Sequence, residues 1–175
     1  MKKETIKNIF DFLQEKGEHR TPFLWKWKNN IPLTKEDLNV QGDLKLSRSD
    51  ITSLPEGLKV GGDLDLWSSK ITSLPEGLKV GGDLSLSYTK MTSLPEGLKV
   101  GGDLHLEGSY VESLPEGLKV GGYLHLDGSS VDSLPKGLEV YGDLSIADTV
   151  LASKSYNDLI VMIKPGFIKG EILRE

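Results

Sequence analysis

The sequence predicts a mainly β fold: a parallel β-solenoid of about five to six twenty-residue coils, with an α-helical N-terminal cap and a short helical C-terminal cap. Internal repetition is the first observation. The phrase LPEGLKVGGDL stands at 54–64, 74–84 and 94–104, and returns as LPEGLKVGGYL at 114–124 and LPKGLEVYGDL at 134–144. An abbreviated copy, DLNVQGDL, occupies 37–44. A strict short period implies one coil per repeat, each coil touching only its neighbours. The second observation is alternation. Leu58 and Val60, then Leu64 and Leu66, place every second residue on one side, as short half-buried strands do. The third is the corner column Ile51, Ile71, Met91, Val111, Val131, which is apolar throughout. Stacked coils hydrogen-bonded about 4.8 Å apart would give a rod only about 25–30 Å long.

Taken in order, residues 1–37 form the N-terminal cap, 38–153 the solenoid and 154–175 the C-terminal cap of one structural domain. In ETIKNIFDFLQEK (4–16), Ile6, Ile9, Phe10 and Leu13 share one helical face, and Gly17 supplies a stop. The following PFLWKWKNN alternates aromatic and basic residues. Its aromatics would blunt the open end of the first coil. An alternative is a nucleic-acid contact by Arg20, Trp25, Lys26, Trp27 and Lys28, since aromatics stack on bases and cations neutralise phosphates.

Within the repeats the second glycine of Gly61-Gly62 recurs at 42, 82, 102, 122 and 142, whereas the first admits Gln41 and Tyr141. The second is therefore expected to need a positive φ or a missing side chain. Ser53, Ser73, Ser93, Ser113, Ser133 and Ser153 form one hydroxyl column; Ser49, Ser69, Thr89, Ser109, Ser129 and Thr149 form another. Both are expected to satisfy backbone groups at the coil corners. Glu56, Glu76, Glu96 and Glu116 accompany Lys59, Lys79, Lys99 and Lys119, and both signs invert at Lys136 and Glu139, as a paired surface charge permits. Such exposed pairs contribute about 0–1 kcal/mol each. Past Leu144 the repeat fades. Ser155 and Asp158 form a helix-capping pair ahead of Leu159, Ile160, Met162 and Ile163, and Lys164-Pro165-Gly166 ends the helix. The tail FIKGEILRE is expected to add a strand or extended cover.

The frame LDLWSSKITSLPEGL (64–78), repeated as LHLEGSYVESLPEGL (104–118), resembles the short leucine-rich repeats of bacterial and phage proteins. The resemblance spans about residues 38–153. Two features depart from it: Ser or Thr replaces the usual asparagine, and each coil carries an extra Val-Gly-Gly-Asp step. That step leaves open a curved horseshoe or a straighter solenoid with two strands per coil. The resemblance implies a binding scaffold rather than a catalyst, and a phage-encoded inhibitor of a bacterial defence complex is the specific expectation it carries.

Composition narrows the function. The chain has 175 residues and no cysteine, which suits a reducing cytoplasm and rules out thiolate chemistry. No apolar run approaches the roughly 20 residues of a membrane span, and no secretory signal pattern is visible. The expected location is the cytoplasm, of a bacterial host if the chain is phage-encoded. Residues 1–30 carry seven Lys/Arg against four Asp/Glu; with a net charge of −5 overall, the remainder stands at −8. An acidic body argues against nucleic acid as a partner of the repeats and makes a protein the expected one. The chain is expected as a monomer or a cap-mediated homodimer.

Outward positions around the LxL strands vary from coil to coil, as a repeat scaffold's binding face does. Trp67, Tyr88 and Tyr110 are anchor-type residues, and His105, Glu107, His125 and Asp127 complete the expected partner-binding set. His105 and His125 share a column, with Glu107 and Asp127 two residues beyond. These four are the alternative divalent-metal site. VGGD lies between strands and is no phosphate loop, and most serines sit in ladders. The expectation is no enzyme and no cofactor.

Overall fold

The computed structural model describes residues 22–28 and 31–175, so the helix expected over 4–16 and Arg20 lie outside the described residues. Helix α1 spans Pro22–Lys28. Each coil then contributes two strands of two residues. The first strands are β1 (Asn39–Val40), β3 (Lys59–Val60), β5 (Lys79–Val80), β7 (Lys99–Val100), β9 (Lys119–Val120) and β11 (Glu139–Val140). The second strands are β2 (Leu44–Lys45), β4 (Leu64–Asp65), β6 (Leu84–Ser85), β8 (Leu104–His105), β10 (Leu124–His125) and β12 (Leu144–Ser145). A 3₁₀ turn (Val150–Ser153) and helix α2 (Tyr156–Ile163) precede β13 (Phe167–Ile168) and β14 (Ile172–Leu173). All odd strands form one seven-stranded sheet and all even strands another. Every pairing is parallel and aligns equivalent residues, as in Val60↔Val80 and Leu64↔Leu84. The extra Val-Gly-Gly-Asp step thus makes a β-solenoid with two strands per coil.

The apolar columns converge between the sheets. Leu58, Val60, Leu64, Leu66, Ile71 and Leu74 are all buried, as are their equivalents in the next three coils. Burying one such side chain contributes about 1.5–3 kcal/mol. At one end Phe23, 1% exposed, enters this core and stacks on Trp27 at 5.6 Å. Lys26 Nζ anchors α1 to the first coil through Asp37, at 2.7 Å from both carboxylate oxygens. At the other end Leu151, Leu159 and Ile163 close the core. Ser155 caps α2 as the sequence predicts, its Oγ accepting from the Asp158 N–H at 3.1 Å.

Both turns of a coil follow one rule. In Pro-Glu-Gly-Leu, the Leu58 N–H donates to the Pro55 carbonyl and Gly57 takes φ +77° at the third position, which favours glycine. After the second strand, Ser69 N–H donates to the Leu66 carbonyl and Ser68 takes φ +52°. Left-handed residues are therefore at 57 and 68, not at the paired glycines. Gly62 is required for space instead: a Cβ there would lie 2.2 Å from Asp43 Oδ1. A Cβ on Gly81 would lie 2.2 Å from the Gly61 carbonyl oxygen, yet Tyr141 fills the same position and its N–H still donates to the Val120 carbonyl at 3.0 Å, so the first glycine is the less confined of the two.

What crowds the second glycine also joins the coils. Asp43 Oδ1 accepts from the Asp63 N–H, Asp63 from Asp83, Asp83 from Asp103 and Asp103 from Tyr123, at 3.0, 2.9, 2.8 and 2.7 Å. This aspartate ladder satisfies an amide of each following coil. The hydroxyl columns serve less uniformly. Ser49, Thr89 and Thr149 donate to the carbonyl three residues back, while the buried Ser69, Ser109 and Ser129 hydroxyls have no partner. Ser133 and Ser153 bond only within their own coil, to Asp132 and the Val150 carbonyl. The inverted charge also pairs otherwise than expected: Glu139 bonds Lys119 of the preceding coil at 2.8 Å, because register stacks these two positions directly.

The tail is a further partial coil. Ile168 pairs with Val140 and Ile172 with Leu144, and the Glu171 N–H donates to Asp143 Oδ1. Arg174 Nη1 fastens it to the Ala152 and Lys154 carbonyls.

Two glycine variants separate the two roles. Gly102→Ala, whose Cβ would lie 2.1 Å from Asp83 Oδ1, should lower stability by about 3 kcal/mol. Gly117→Ala, with φ +67° but open space, should lose only about 1 kcal/mol. Urea denaturation followed by circular dichroism tests the difference.

Candidate functional site

The outward column of the even strands runs Lys45, Asp65, Ser85, His105, His125, Ser145, because register places these residues side by side. Two residues on lies a second column that includes Trp67, Ser87, Glu107 and Asp127. Between them opens a groove of about 470 Å³. Its lining includes the carboxylates of Asp63, Asp65, Asp83 and Glu107 and the aromatic pair Trp67 and Tyr88. Asp65 Oδ1 is held by the Trp67 N–H at 3.0 Å, so the turn that raises the indole also fixes the acid beside it.

The aromatic pair is part of a staircase across coils. The Arg48 guanidinium lies 4.5 Å from the Trp67 ring centroid, a cation–π contact. Trp67 meets Tyr88 edge-on at 6.4 Å. A Cβ on Gly108 would lie 2.8 Å from Tyr88 Cε1, so the glycine leaves room for the tyrosine ring. Tyr88 itself occupies the left-handed turn position with φ +58°, where the next two coils have Gly108 and Gly128. A bulky residue there costs about 1–2 kcal/mol of backbone strain. Its side chain nonetheless remains 62% exposed. Little in the fold offsets that strain.

At the far end, His105 and His125 stack with ring centroids 4.6 Å apart and planes within 4°. The carboxylates two residues beyond behave differently. Glu107 Oε1 lies 3.2 Å from His105 Nδ1, and Oε2 accepts from Ser87 Oγ of the preceding coil. Asp127, one methylene shorter, instead accepts from Ser145 Oγ and the Ala147 N–H of the following coil. The carboxylate brought together with both imidazoles is therefore neither Glu107 nor Asp127. It is Asp103, one oxygen of which lies within 4.8 Å of a ring nitrogen of each histidine.

Burial pushes the Glu107 carboxyl up, but hydrogen bonds from His105, Ser87 and its own backbone outweigh it and bring the pKa down to about 2. The same bond raises His105, against burial, with the charges of Glu107, Asp103 and Asp83 adding to the rise.

Of the sequence-predicted partner-binding residues, Trp67, Tyr88, His105 and Glu107 share the groove, and His125 adjoins it through His105. Tyr110, 59% exposed, is not among the groove residues, and Asp127 serves the next coil. Among the residues set aside for nucleic acid, Lys26 is engaged by Asp37 and Trp27 packs on the core. Trp25 and Lys28 lie on α1. Sequence reasoning missed the part played by Asp63, Asp83 and Asp103; the signal was the aspartate recurring every twenty residues after the second glycine. No helix among the described residues is long and apolar enough to cross a membrane. No protein-family model, curated protein or solved structure matches the chain.

A raised His105 stabilises the fold below the ordinary histidine value of 6.5, and this is lost as pH rises through the raised pKa. A lowered Glu107 stabilises above 4.5 and is lost as pH falls toward about 2. The pair thus contributes most between these ordinary values. An NMR titration of the His105 ring should show a midpoint above 6.5, moving down in Glu107→Gln.

Proposed function

We propose that the chain is a non-enzymatic protein-interaction scaffold whose groove receives a basic segment of a partner protein, an arginine or lysine side chain entering between the aromatic pair and the carboxylates. Arg48 on Trp67 is the observation that carries this reading: one guanidinium of the chain already uses the ring in the way a partner's would. Four carboxylates around one aromatic pair supply the ion-pairing half of the same recognition. Tyr88 supports it by its edge-on contact with Trp67 at 6.4 Å, which sets two exposed rings side by side at the groove.

The likeness of the repeats to short leucine-rich repeats of bacterial and phage proteins extends the proposal. The partner is then a bacterial defence or regulatory complex in the cytoplasm, and the acidic body inhibits it by filling a basic, nucleic-acid-binding groove.

The test uses hexa-arginine and hexa-glutamate peptides as probes, with affinities read by isothermal titration in every variant and the Trp67 indole N–H resonance, which a Trp67→Phe variant assigns, followed as a second readout where the indole is present. Hexa-arginine should bind saturably and lose affinity as salt rises, while hexa-glutamate should not bind. Trp67→Ala and Asp65→Asn/Asp83→Asn should each weaken hexa-arginine binding at least tenfold; Lys26→Ala/Lys28→Ala should leave it unchanged. Equal binding by wild type and the groove variants would overturn the reading. Tyr88→Gly should weaken binding while changing stability by no more than about 1 kcal/mol, because relief of the left-handed strain offsets the lost ring contact.

A further inference from the structure

We infer that Asp103, His105 and His125 form a binding site for a divalent first-row transition metal ion at the end of the groove, an inference that does not rest on what the groove itself receives. Two imidazoles and one carboxylate are a donor set suited to zinc, nickel or copper rather than to calcium or magnesium, which prefer oxygen alone. All three offer donor atoms within 4.8 Å of one another.

Register brings the site together. His105 and His125 are a paired position of the parallel strands β8 and β10, so both rings leave the sheet in one direction and stack at 4.6 Å. Nitrogens sharing one tetrahedral zinc ion lie about 3.4 Å apart, given bonds of about 2.0–2.1 Å. The donor atoms now lie within 4.8 Å of one another, so a bound ion would draw the two imidazoles out of their stack and closer together. Asp103 is already oriented, because its Oδ1 is held by the Tyr123 N–H at 2.7 Å, leaving the second oxygen as a ligand. His105 is oriented as well. Glu107 Oε1 faces Nδ1 at 3.2 Å and accepts its N–H, so Nε2 carries the free lone pair. A carboxylate behind a ligating histidine is the usual outer support of such ions. Ser87 holds that carboxylate in turn. Tyr123 packs edge-on to His125 at 6.0 Å and flanks the second ring.

The arrangement also explains which carboxylate takes part. Asp127 is committed to Ser145 and Ala147 in the next coil, and Glu107 to His105 and Ser87; Asp103 alone among the three keeps an oxygen beside both rings. The ligand set therefore joins a ladder aspartate, whose structural role is repeated along the solenoid, to two histidines found in that column only in these two coils. Three protein ligands leave a fourth position for water or for a group brought by a partner.

The test is isothermal titration of tag-free protein with zinc chloride, with visible absorption of the cobalt(II)-loaded protein as a second readout. One equivalent should bind, and cobalt should give the intense d–d bands of a low-symmetry site with nitrogen donors. His105→Ser and His125→Ser suit the column, because Ser85 and Ser145 occupy it in neighbouring coils. Each should weaken binding at least tenfold and bleach the cobalt bands, with unchanged circular dichroism. Asp103→Asn keeps an oxygen for the Tyr123 amide yet should also lose affinity, and Glu107→Gln should weaken binding by about 10-fold or more. Absence of a saturable equivalent in the wild type, or full retention of binding in the His105→Ser/His125→Ser double variant, would overturn the site.

Discussion

The constraint on which this molecule depends is the distance between one coil and the next. Parallel strands must lie about 4.8 Å apart for their hydrogen bonds to form. At the corner between the two sheets, a side chain on the second glycine, as at Gly82 or Gly102, would meet the backbone and aspartate of the coil before it. Removing the Cβ permits the approach, and the neighbouring aspartate uses the space to bond the next amide. Glycine and aspartate are thus one device. The apolar columns supply the larger share of the driving force, but they do not set the register; two-residue strands alone are too short to specify it against slippage.

That register also makes the groove. In a strictly repeating solenoid each outward position faces its own copies, so any departure from repetition is placed directly beside another. Trp67 stands next to Ser87 in its column and leans on Tyr88, and His105 lies on His125. A surface of this kind is composed two coils at a time. Its charge comes partly from residues with a structural duty: Asp63 and Asp83 hold amides with one oxygen and lend negative potential to the groove with the rest of the carboxylate.

The fold was legible in the sequence to the extent that physics repeated itself. Period twenty, alternation at Leu58/Val60 and Leu64/Leu66, and the apolar corner at Ile71 implied stacked coils and their core, and the structure has them. The paired glycines were legible as special but not why, because a missing side chain and a positive φ leave the same mark on a sequence. Asp43 and its copies drew no assignment from the sequence, since their partner is an amide in another coil. The tail was legible as a strand or extended cover, but spacing hid that it is a further coil: FIKGEIL repeats the EVYGDLS pattern, with 28 residues rather than twenty separating Glu171 from Asp143. In the site, column arithmetic brought His105 to His125. It did not distinguish Glu107 from Asp127, whose opposite directions follow from one methylene and from the serine in the coil on each side.

The longer final turn has a consequence for how such a chain can vary. From β12 to β13 the path takes in a 3₁₀ turn and all of α2, yet the Gly137 N–H still finds a carbonyl, that of Ile163, where Gly117 finds Lys136. The connection on the glycine side, by contrast, keeps one length throughout, from Val40–Leu44 in the first coil to Ile168–Ile172 in the last. One corner of the solenoid is rigid in length and the other is elastic. At that last corner the chain takes up eight extra residues while the strands on either side keep their register, so extra length there is absorbed outside the stack.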